Sequence, residues 1–292
     1  MIRLVAFDLD GTVLDDLGAA SAESISALRE MQERGVALAT LSGRNVEKSL
    51  APFALQPGLT DGMHCGAYNG SVVVGPVAGG RRPLVFEQRI PSDALSHLLA
   101  FIRERGHNFI YYYCAAHPAL GVEERYLSDR RTQSTDRIEV QVGADFTFDA
   151  GLLEQIAEGR LGPPPKLLIL PGEDRREEVF QEAAERFNGL LYIARTDRDR
   201  VEFMSPEVNK WTALERIGRS RAIQASEILA IGDGENDLPM ILGAGIGVVM
   251  DGAADHVKAH VDGKRVRLAR RFEDEGFARA MREYVLTEGR GL

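Results

Sequence analysis

The chain opens with a mostly apolar run, Ile2-Arg3-Leu4-Val5-Ala6-Phe7, that stops abruptly at Asp8-Leu9-Asp10-Gly11-Thr12. A short apolar run closed by a polar turn reads as a buried strand, and strand ends are where open α/β sheets carry their chemistry. Residues i and i+2 of an extended segment point the same way, so Asp8 and Asp10 can address one metal ion or one substrate from the same side. Gly11 lets the chain turn sharply after them.

The α/β pattern continues beyond this first strand. From Ser21 onward, Ile25, Leu28 and Met31 fall at helical spacing, and Gly35 is a plausible C-terminal cap. A second apolar strand over residues 36–41 ends at Ser42-Gly43-Arg44. Strand, helix and strand in this order imply a right-handed parallel unit, which sets Asp8 and Ser42 at the same edge of neighbouring strands. A similar layout returns near the other end, with a helix from Trp211 and a strand over 227–231. The polar turn Gly232-Asp233-Gly234-Glu235-Asn236-Asp237 comes next, then an apolar segment over 238–242 and a strand over 245–250.

Between the two ends the pattern changes. Residues 75–83 are rich in turn formers, and strand-like segments at 84–87 and 109–113 flank a helix over 91–105. Gly162-Pro163-Pro164-Pro165 reads as a stiff linker, and alternation resumes with 166–170, 174–187, 190–194 and 200–204. The expected architecture is a doubly wound, Rossmann-like parallel-sheet core made of residues 1–82 and 207–292. A second α/β domain, residues 83–206, is inserted into it.

The formal net charge of −9, from 44 Asp and Glu against 35 Lys and Arg, argues against nucleic acid or an anionic membrane as the main partner. It leaves room for a small anion held by a few local cations. Two cysteines, Cys65 and Cys114, show no framework spacing; no leader pattern occurs and no apolar run is long enough to span a bilayer. These features point to a cytoplasmic protein; its oligomeric state, monomer or homodimer, stays open at this point.

An Asp-x-Asp-Gly turn is a weak signal alone, because polar turns often use Asp to bond their own backbone. Its company strengthens it: Ser42, Gly43, Lys210, Asp233, Asn236 and Asp237 all stand at expected strand or helix ends. A phosphate ester repels anionic nucleophiles, so a carboxylate attacking it needs a divalent cation bridging the two. Asp8, Asp233 and water oxygens suit Mg2+, Lys210 would offset further charge, and Ser42 with backbone amides would donate to phosphate oxygens. Asp10 could protonate the leaving oxygen. Plainer roles exist for each: Ser42 as a cap for the segment from Arg44, Lys210 as a surface lysine, Asn236 and Asp237 as helix caps, Arg44 as one half of a salt bridge.

Asp8-Leu9-Asp10-Gly11-Thr12, Leu41-Ser42-Gly43-Arg44, Asn209-Lys210 and Gly232 to Asp237 resemble, in order, the four motifs of the haloacid dehalogenase superfamily. Asn69-Gly70-Ser71, Ser205-Pro206-Glu207-Val208-Asn209-Lys210 and Gly247-Val248-Val249-Met250 resemble its Cof-type phosphatase branch, which carries a large inserted α/β cap. The resemblance implies that Asp8 is the nucleophile and Asp10 the general acid and base. The side chains of Asp8 and Asp233 with the main-chain carbonyl of Asp10 would hold Mg2+. Ser42, Gly43, Lys210 and Asn236 would contact the phosphoryl group, with Thr12 and Asp237 in support. Arg44 and Asn69 are candidates for substrate contact, as are the loop over 114–121 and Arg125 if the cap closes over the site.

One departure stands out: Met250-Asp251-Gly252-Ala253 replaces the family's Met-Gly-Asn-Ala, which bears on leaving-group recognition. Other patterns fail. A calcium loop from Asp8 would need a ligand where Ala19 stands, Val248 sits where a dinucleotide fingerprint needs glycine, and His256 with His260 lack the glutamate of a zinc protease. The resulting expectation is a Mg2+-dependent phosphatase working through an aspartyl-phosphate on Asp8. Its substrate would be a small phosphorylated metabolite, by resemblance a sugar phosphate. A phosphomutase, or a silent metabolite-binding protein, is the alternative.

Overall fold

β1 (Leu4–Phe7) is buried along its whole length, and its side chains divide between two cores. Val5 and Phe7 join one apolar cluster while Leu4 and Ala6 join another. A strand buried on both faces is what a parallel sheet with helices on either side demands.

The computed structural model describes residues 1–117 and 121–287. After β1 come α1 (Ala22–Glu33), β2 (Ala37–Leu41), α2 (Val46–Leu50), β3 (Met63–Ala67), β4 (Val72–Val74) and β5 (Leu84–Glu87). The chain continues through α3 (Ser92–Arg105), β6 (Asn108–His117), β7 (Gly121–Ser128), α4 (Gln133–Val142), β8 (Phe146–Phe148), α5 (Leu152–Ala157) and β9 (Leu167–Leu170). Next are α6 (Arg176–Arg186), β10 (Tyr192–Thr196), β11 (Arg200–Met204), α7 (Lys210–Ser220), β12 (Ile228–Gly232) and α8 (Leu238–Gly243). The last elements are β13 (Ile246–Met250), α9 (Asp255–Lys258), β14 (Val266–Ala269) and α10 (Gly276–Met281).

Two compact units result, one of Met1–Phe86 with Asn209–Leu292, the other of Glu87–Val208. The first is built on an eight-stranded sheet ordered β14-β13-β12-β1-β2-β3-β4-β5. Pairing is parallel from β14 across to β3 and antiparallel between β3 and β4. Helix α1 packs Ala27, Leu28 and Met31 on one face beside Phe277 and Met281, and α7 packs Ala213, Leu214 and Ile217 on the other. Ser21 caps α1 by accepting the Ser24 amide, and Gly35 takes a left-handed φ of 78° just after it. Phe7 anchors the first core in edge contacts with Phe53 and Phe277, and truncating so buried a ring costs about 3–5 kcal/mol.

Chain order reverses between β1 and β12: β2 and β3 extend the sheet to one side, β13 and β14 to the other. Such a switch point leaves a crevice beyond the strands' carboxyl ends, because the two following loops run away from each other.

Two local expectations are corrected. Leu84 to Glu87 was expected in the inserted segment, yet it forms the edge strand of the first sheet. The turn-rich residues 75–83 join it to β4, with the Gly75 amide donating to the Pro83 carbonyl. Gly162 to Pro165, expected as a stiff linker, is instead tied down by hydrogen bonds inside the second unit. There Tyr111 donates to the Gly162 carbonyl, Arg89 to that of Pro163 and the Ile90 amide to that of Pro164. Prolines present carbonyls without donors, which suits them to receive such bonds.

The second unit has a six-stranded sheet ordered β10-β11-β9-β6-β7-β8, antiparallel except for β7 beside β8. One face packs Phe109, Tyr111, Leu167, Ile169, Val201 and Phe203 against α3, α5 and α6. Part of the expected 114–121 loop belongs to β6 and β7, and residues 118–120 lie outside the described residues. Among the described residues no helix is long and apolar enough to cross a membrane.

Candidate active site

The crevice beside β1 gathers the acidic residues. The Asp8 amide donates to the Ile231 carbonyl at 3.0 Å, carrying the β1–β12 register one residue past the strand and fixing a buried carboxylate at its end. Gly11 has φ +73°, and a Cβ there would stand 2.3 Å from Asp233 Oδ2. Glycine therefore meets two demands at once: the left-handed turn and the close approach of Asp233. Thr12, wholly buried, donates from Oγ1 to Asp233 Oδ1 at 3.2 Å.

Lys210 opens α7, whose N-cap Asn209 accepts the Thr212 amide at 2.9 Å. That start aims the ammonium inward, where Nζ lies 2.6 Å from Asp8 Oδ1 and 2.5 Å from Asp237 Oδ1. With 1% of its side chain exposed, Lys210 is no surface lysine. Asp237 uses its other oxygen to accept the amides of Asp233 at 3.0 Å and Gly234 at 2.8 Å, so it ties the loop after β12 to the lysine. Buried charges persist only when paired in this way.

Carboxylate oxygens of Asp8, Asp233 and Asp237 lie within 4.8 Å of one another. One ammonium faces three carboxylates, so the cluster has unbalanced negative charge. Burial, then the charge of Asp237, pushes Asp8 up to about 8 against the pull of Lys210; the same two causes raise Asp233 to about 6. Burial draws Lys210 down, but Asp237 and Asp8 outweigh it and hold the ammonium above its ordinary range. An all-oxygen, anionic donor set suits a hard divalent cation, which would relieve the repulsion. The Asp10 carboxylate lies outside this group: its side chain is 59% exposed and is held by Arg44 through Nε to Oδ2 at 3.0 Å and through Nη2 to Oδ1.

Ser42 comes directly after β2, its amide donating to the Gly66 carbonyl at 2.9 Å and its Oγ accepting the Arg44 amide at 3.2 Å. It does not cap α2; Asn45 does, accepting the Lys48 amide at 2.8 Å. Gly43 lies beside Asn69, whose Oδ1 accepts from Asn236 Nδ2 at 3.1 Å. The loops after β2, β3 and β12 are thus joined. Arg125 belongs to β7 of the second unit, where it stacks over Tyr113 at 4.2 Å and pairs with Glu123 at 3.3 Å. Asp237, expected in support of Lys210 or a metal's outer shell, is brought to Lys210, whereas sequence reasoning missed the run of positive φ at Tyr68, Asn69 and Gly70. Asn-Gly signals such a turn; nothing about Tyr68 does.

The family model described as haloacid dehalogenase-like hydrolase matches residues 5–280. Among curated proteins, the chain is 25% identical over 285 residues to 5-amino-6-(5-phospho-D-ribitylamino)uracil phosphatase YcsE of Bacillus subtilis, covering 98% of this chain and 96% of that one. Among solved structures, a haloacid dehalogenase-like hydrolase from Bacteroides thetaiotaomicron superposes with TM-score 0.81 at 22% identity, over 97% of this chain and 100% of that one. A sugar phosphatase of subclass IIB superposes with TM-score 0.74 at 19% identity, over 97% and 99%.

Proposed function

The chain belongs to the haloacid dehalogenase-like hydrolases, and from that membership we propose that it is a phosphatase of small phosphorylated metabolites, with a sugar phosphate as substrate class. The observation that carries this reading is the buried Asp8 carboxylate at the end of β1, 2.6 Å from Lys210 Nζ and grouped with Asp233 and Asp237. The ribitylaminouracil phosphatase and the subclass IIB sugar phosphatase, by their names, act on phosphorylated compounds bearing a polyol or sugar, and support the substrate class.

In this reading a free oxygen of Asp8 attacks phosphorus, the ester P–O bond breaks, and the departing alkoxide takes a proton from Asp10. Asp10 then removes a proton from water, whose oxygen attacks the aspartyl-phosphate and returns Asp8 as a carboxylate. Lys210, Ser42, the Gly43 amide and Asn236 hold the phosphoryl oxygens. Asp237 keeps Lys210 placed, and Thr12 keeps Asp233 placed. Asp8 and Asp233, with the main-chain carbonyl of Asp10, would hold Mg2+, which when bound supplies charge neutralisation between carboxylate and phosphoryl group.

The test is phosphate release from p-nitrophenyl phosphate with and without Mg2+, followed by a screen of sugar phosphates, nucleotides and phosphorylated cofactors ranked by kcat/KM. Mg2+-dependent release that vanishes in Asp8→Asn supports the reading. Release that survives Asp8→Asn refutes the nucleophile, and a bisphosphate-dependent isomer exchange faster than phosphate release would replace hydrolysis by mutase chemistry.

A further inference from the structure

We propose that the turn Tyr68-Asn69-Gly70 is a positioning device for the phosphate-binding groups, and that Asn69 acts through Asn236 rather than by touching substrate. The inference rests on the phosphatase reading, and its basis is that three separate strand ends are tied together at this turn. Tyr68, Asn69 and Gly70 have φ of 51°, 55° and 101°, three consecutive left-handed residues of which only one is glycine. Backbone held in that region persists only when its surroundings determine it, and such stretches gather at functional sites.

The surroundings are all parts of the candidate site. The Asn69 amide donates to the Ser42 carbonyl and the Tyr68 amide to the Arg44 carbonyl, each at 2.8 Å, so the turn clasps the loop after β2 from both sides of Gly43. The Asn69 side chain reaches the loop after β12, its Oδ1 accepting from Asn236 Nδ2 at 3.1 Å. Gly70 lies against the start of α7: a Cβ there would stand 2.8 Å from the Asn209 carbonyl oxygen, one residue before Lys210. Tyr68 is nearly sealed from solvent and Ser71 wholly so.

One short turn therefore sets the spacing of Ser42, Asn236 and Lys210, which lie far apart in sequence. The contact with Asn236 has a chemical consequence. A carboxamide can present either oxygen or nitrogen to a phosphate, and only nitrogen donates. By accepting one hydrogen of Asn236 Nδ2, Asn69 fixes which end of that amide faces the turn and leaves the second hydrogen for an anion.

The experiment is a double-mutant cycle read by binding as well as by rate, in the full chain with Mg2+. Inorganic phosphate is titrated calorimetrically into the wild type, Asn69→Gly, Asn236→Ala and the double variant. Glycine keeps the left-handed backbone and its amide, so only the side chain is lost. Asn69→Gly weakens phosphate binding about tenfold, as does Asn236→Ala, while the double variant is no weaker than either single one by more than about twofold. The same loss enters KM of an alkyl phosphate more than kcat, which a general loss of stability does not produce.

Multiplying effects, or unchanged phosphate affinity in Asn69→Gly, overturn the proposal. Should Asn69→Gly not fold, Asn69→Asp, which keeps an acceptor oxygen and tolerates positive φ, replaces it as parent of the cycle. Asn236→Ala then costs as much as in the wild type, and a smaller cost overturns the proposal. Because binding is read directly, a wild type that binds phosphate but hydrolyses no ester refutes the phosphatase reading while leaving the coupling measured. A wild type that binds none overturns both.

Discussion

Arg44 grips both carboxylate oxygens of Asp10, Nε to Oδ2 at 3.0 Å and Nη2 to Oδ1, across 34 residues of sequence. The planar fork of a guanidinium fixes a carboxylate's orientation in a way a lysine cannot. If Asp10 is the proton donor, Arg44→Ala lowers kcat for an alkyl phosphate about tenfold, and Arg44→Lys recovers little of it. The loss is smaller with p-nitrophenyl phosphate, whose leaving group needs no proton. Equal losses with both substrates, carried in KM, would place Arg44 on the substrate instead.

Asp8 and Asp10 separate in the same way. Asp8→Asn removes the nucleophile and abolishes turnover of every ester, a fall of at least about 10⁴-fold. Asp10→Asn slows alkyl phosphates by about 10²–10⁴-fold, the usual worth of a placed general acid and base, and slows aryl phosphates less in the first step. Rapid-quench measurement with p-nitrophenyl phosphate then shows a burst of nitrophenol in Asp10→Asn and none in Asp8→Asn. Matching bursts would dissolve the division of labour.

Legibility in the sequence tracked the range of the interaction. Residues 2–7 and 227–231 could be read as buried strands because that signal is local, and Arg200–Met204 coincides with its expected strand. The edge strand Leu84–Glu87 was assigned to the inserted segment, and the packed prolines at 163–165 read as a linker, because turn formers look alike whether they join elements or pack between them. Within the site, strand-end polar residues could be picked out, and Asp237 was expected in support of Lys210 or a metal, but the other pairings could not be read. Lys210 meets Asp8 across 202 residues, and Asn236 meets Asn69 across 167. Arg44, open between substrate contact and salt bridge, is seen in the latter.

The three-carboxylate cluster gives a prediction for metal removal. A cation that binds only the folded protein stabilises it by about 2.7 kcal/mol at one hundred times its dissociation constant. Mg2+ therefore raises the Tm of the wild type over the EDTA-treated protein, and Asp233→Asn loses most of that rise. An unchanged Tm in Mg2+, by differential scanning calorimetry, would count against a site at Asp8 and Asp233.

Two glycines with the same backbone need separate conformational strain from site geometry. Gly11 and Gly18 have φ of +73° and +78°, but only at Gly11 does a Cβ meet a neighbour, the Asp233 carboxylate; at Gly18 nothing lies within 4 Å. Both alanine variants lose about 1–2 kcal/mol from the left-handed backbone. Gly11→Ala also displaces Asp233 and loses activity about a hundredfold or more by a cost of a few kcal/mol in the transition state, while Gly18→Ala keeps it. Equal activity in the two would mean that Asp233 can shift without consequence.

His64 gives stability a pH dependence of predictable sign. It lies on β3, 3% exposed, and Nδ1 has no hydrogen-bond partner among the described residues. Burial, then Arg221 and Arg82, lowers its pKa to about 4, against a contribution in the other direction from the Leu38 backbone. An unfolded histidine titrates near 6.5, so below that pH the unfolded chain takes up a proton that the folded chain refuses. The stability owed to a neutral His64 is complete above about pH 7 and is lost as pH falls through the window from about 6.5 to 4. Between pH 7 and pH 5 that loss is about 2 kcal/mol. Urea unfolding of the wild type and His64→Gln at these two pH values isolates it, since the other titrating groups are common to both. The variant, whose amide does not titrate, shows a shallower decline by that amount. Parallel declines would mean that His64 accepts its proton in the fold, through a rearrangement that brings water or a carbonyl to Nδ1.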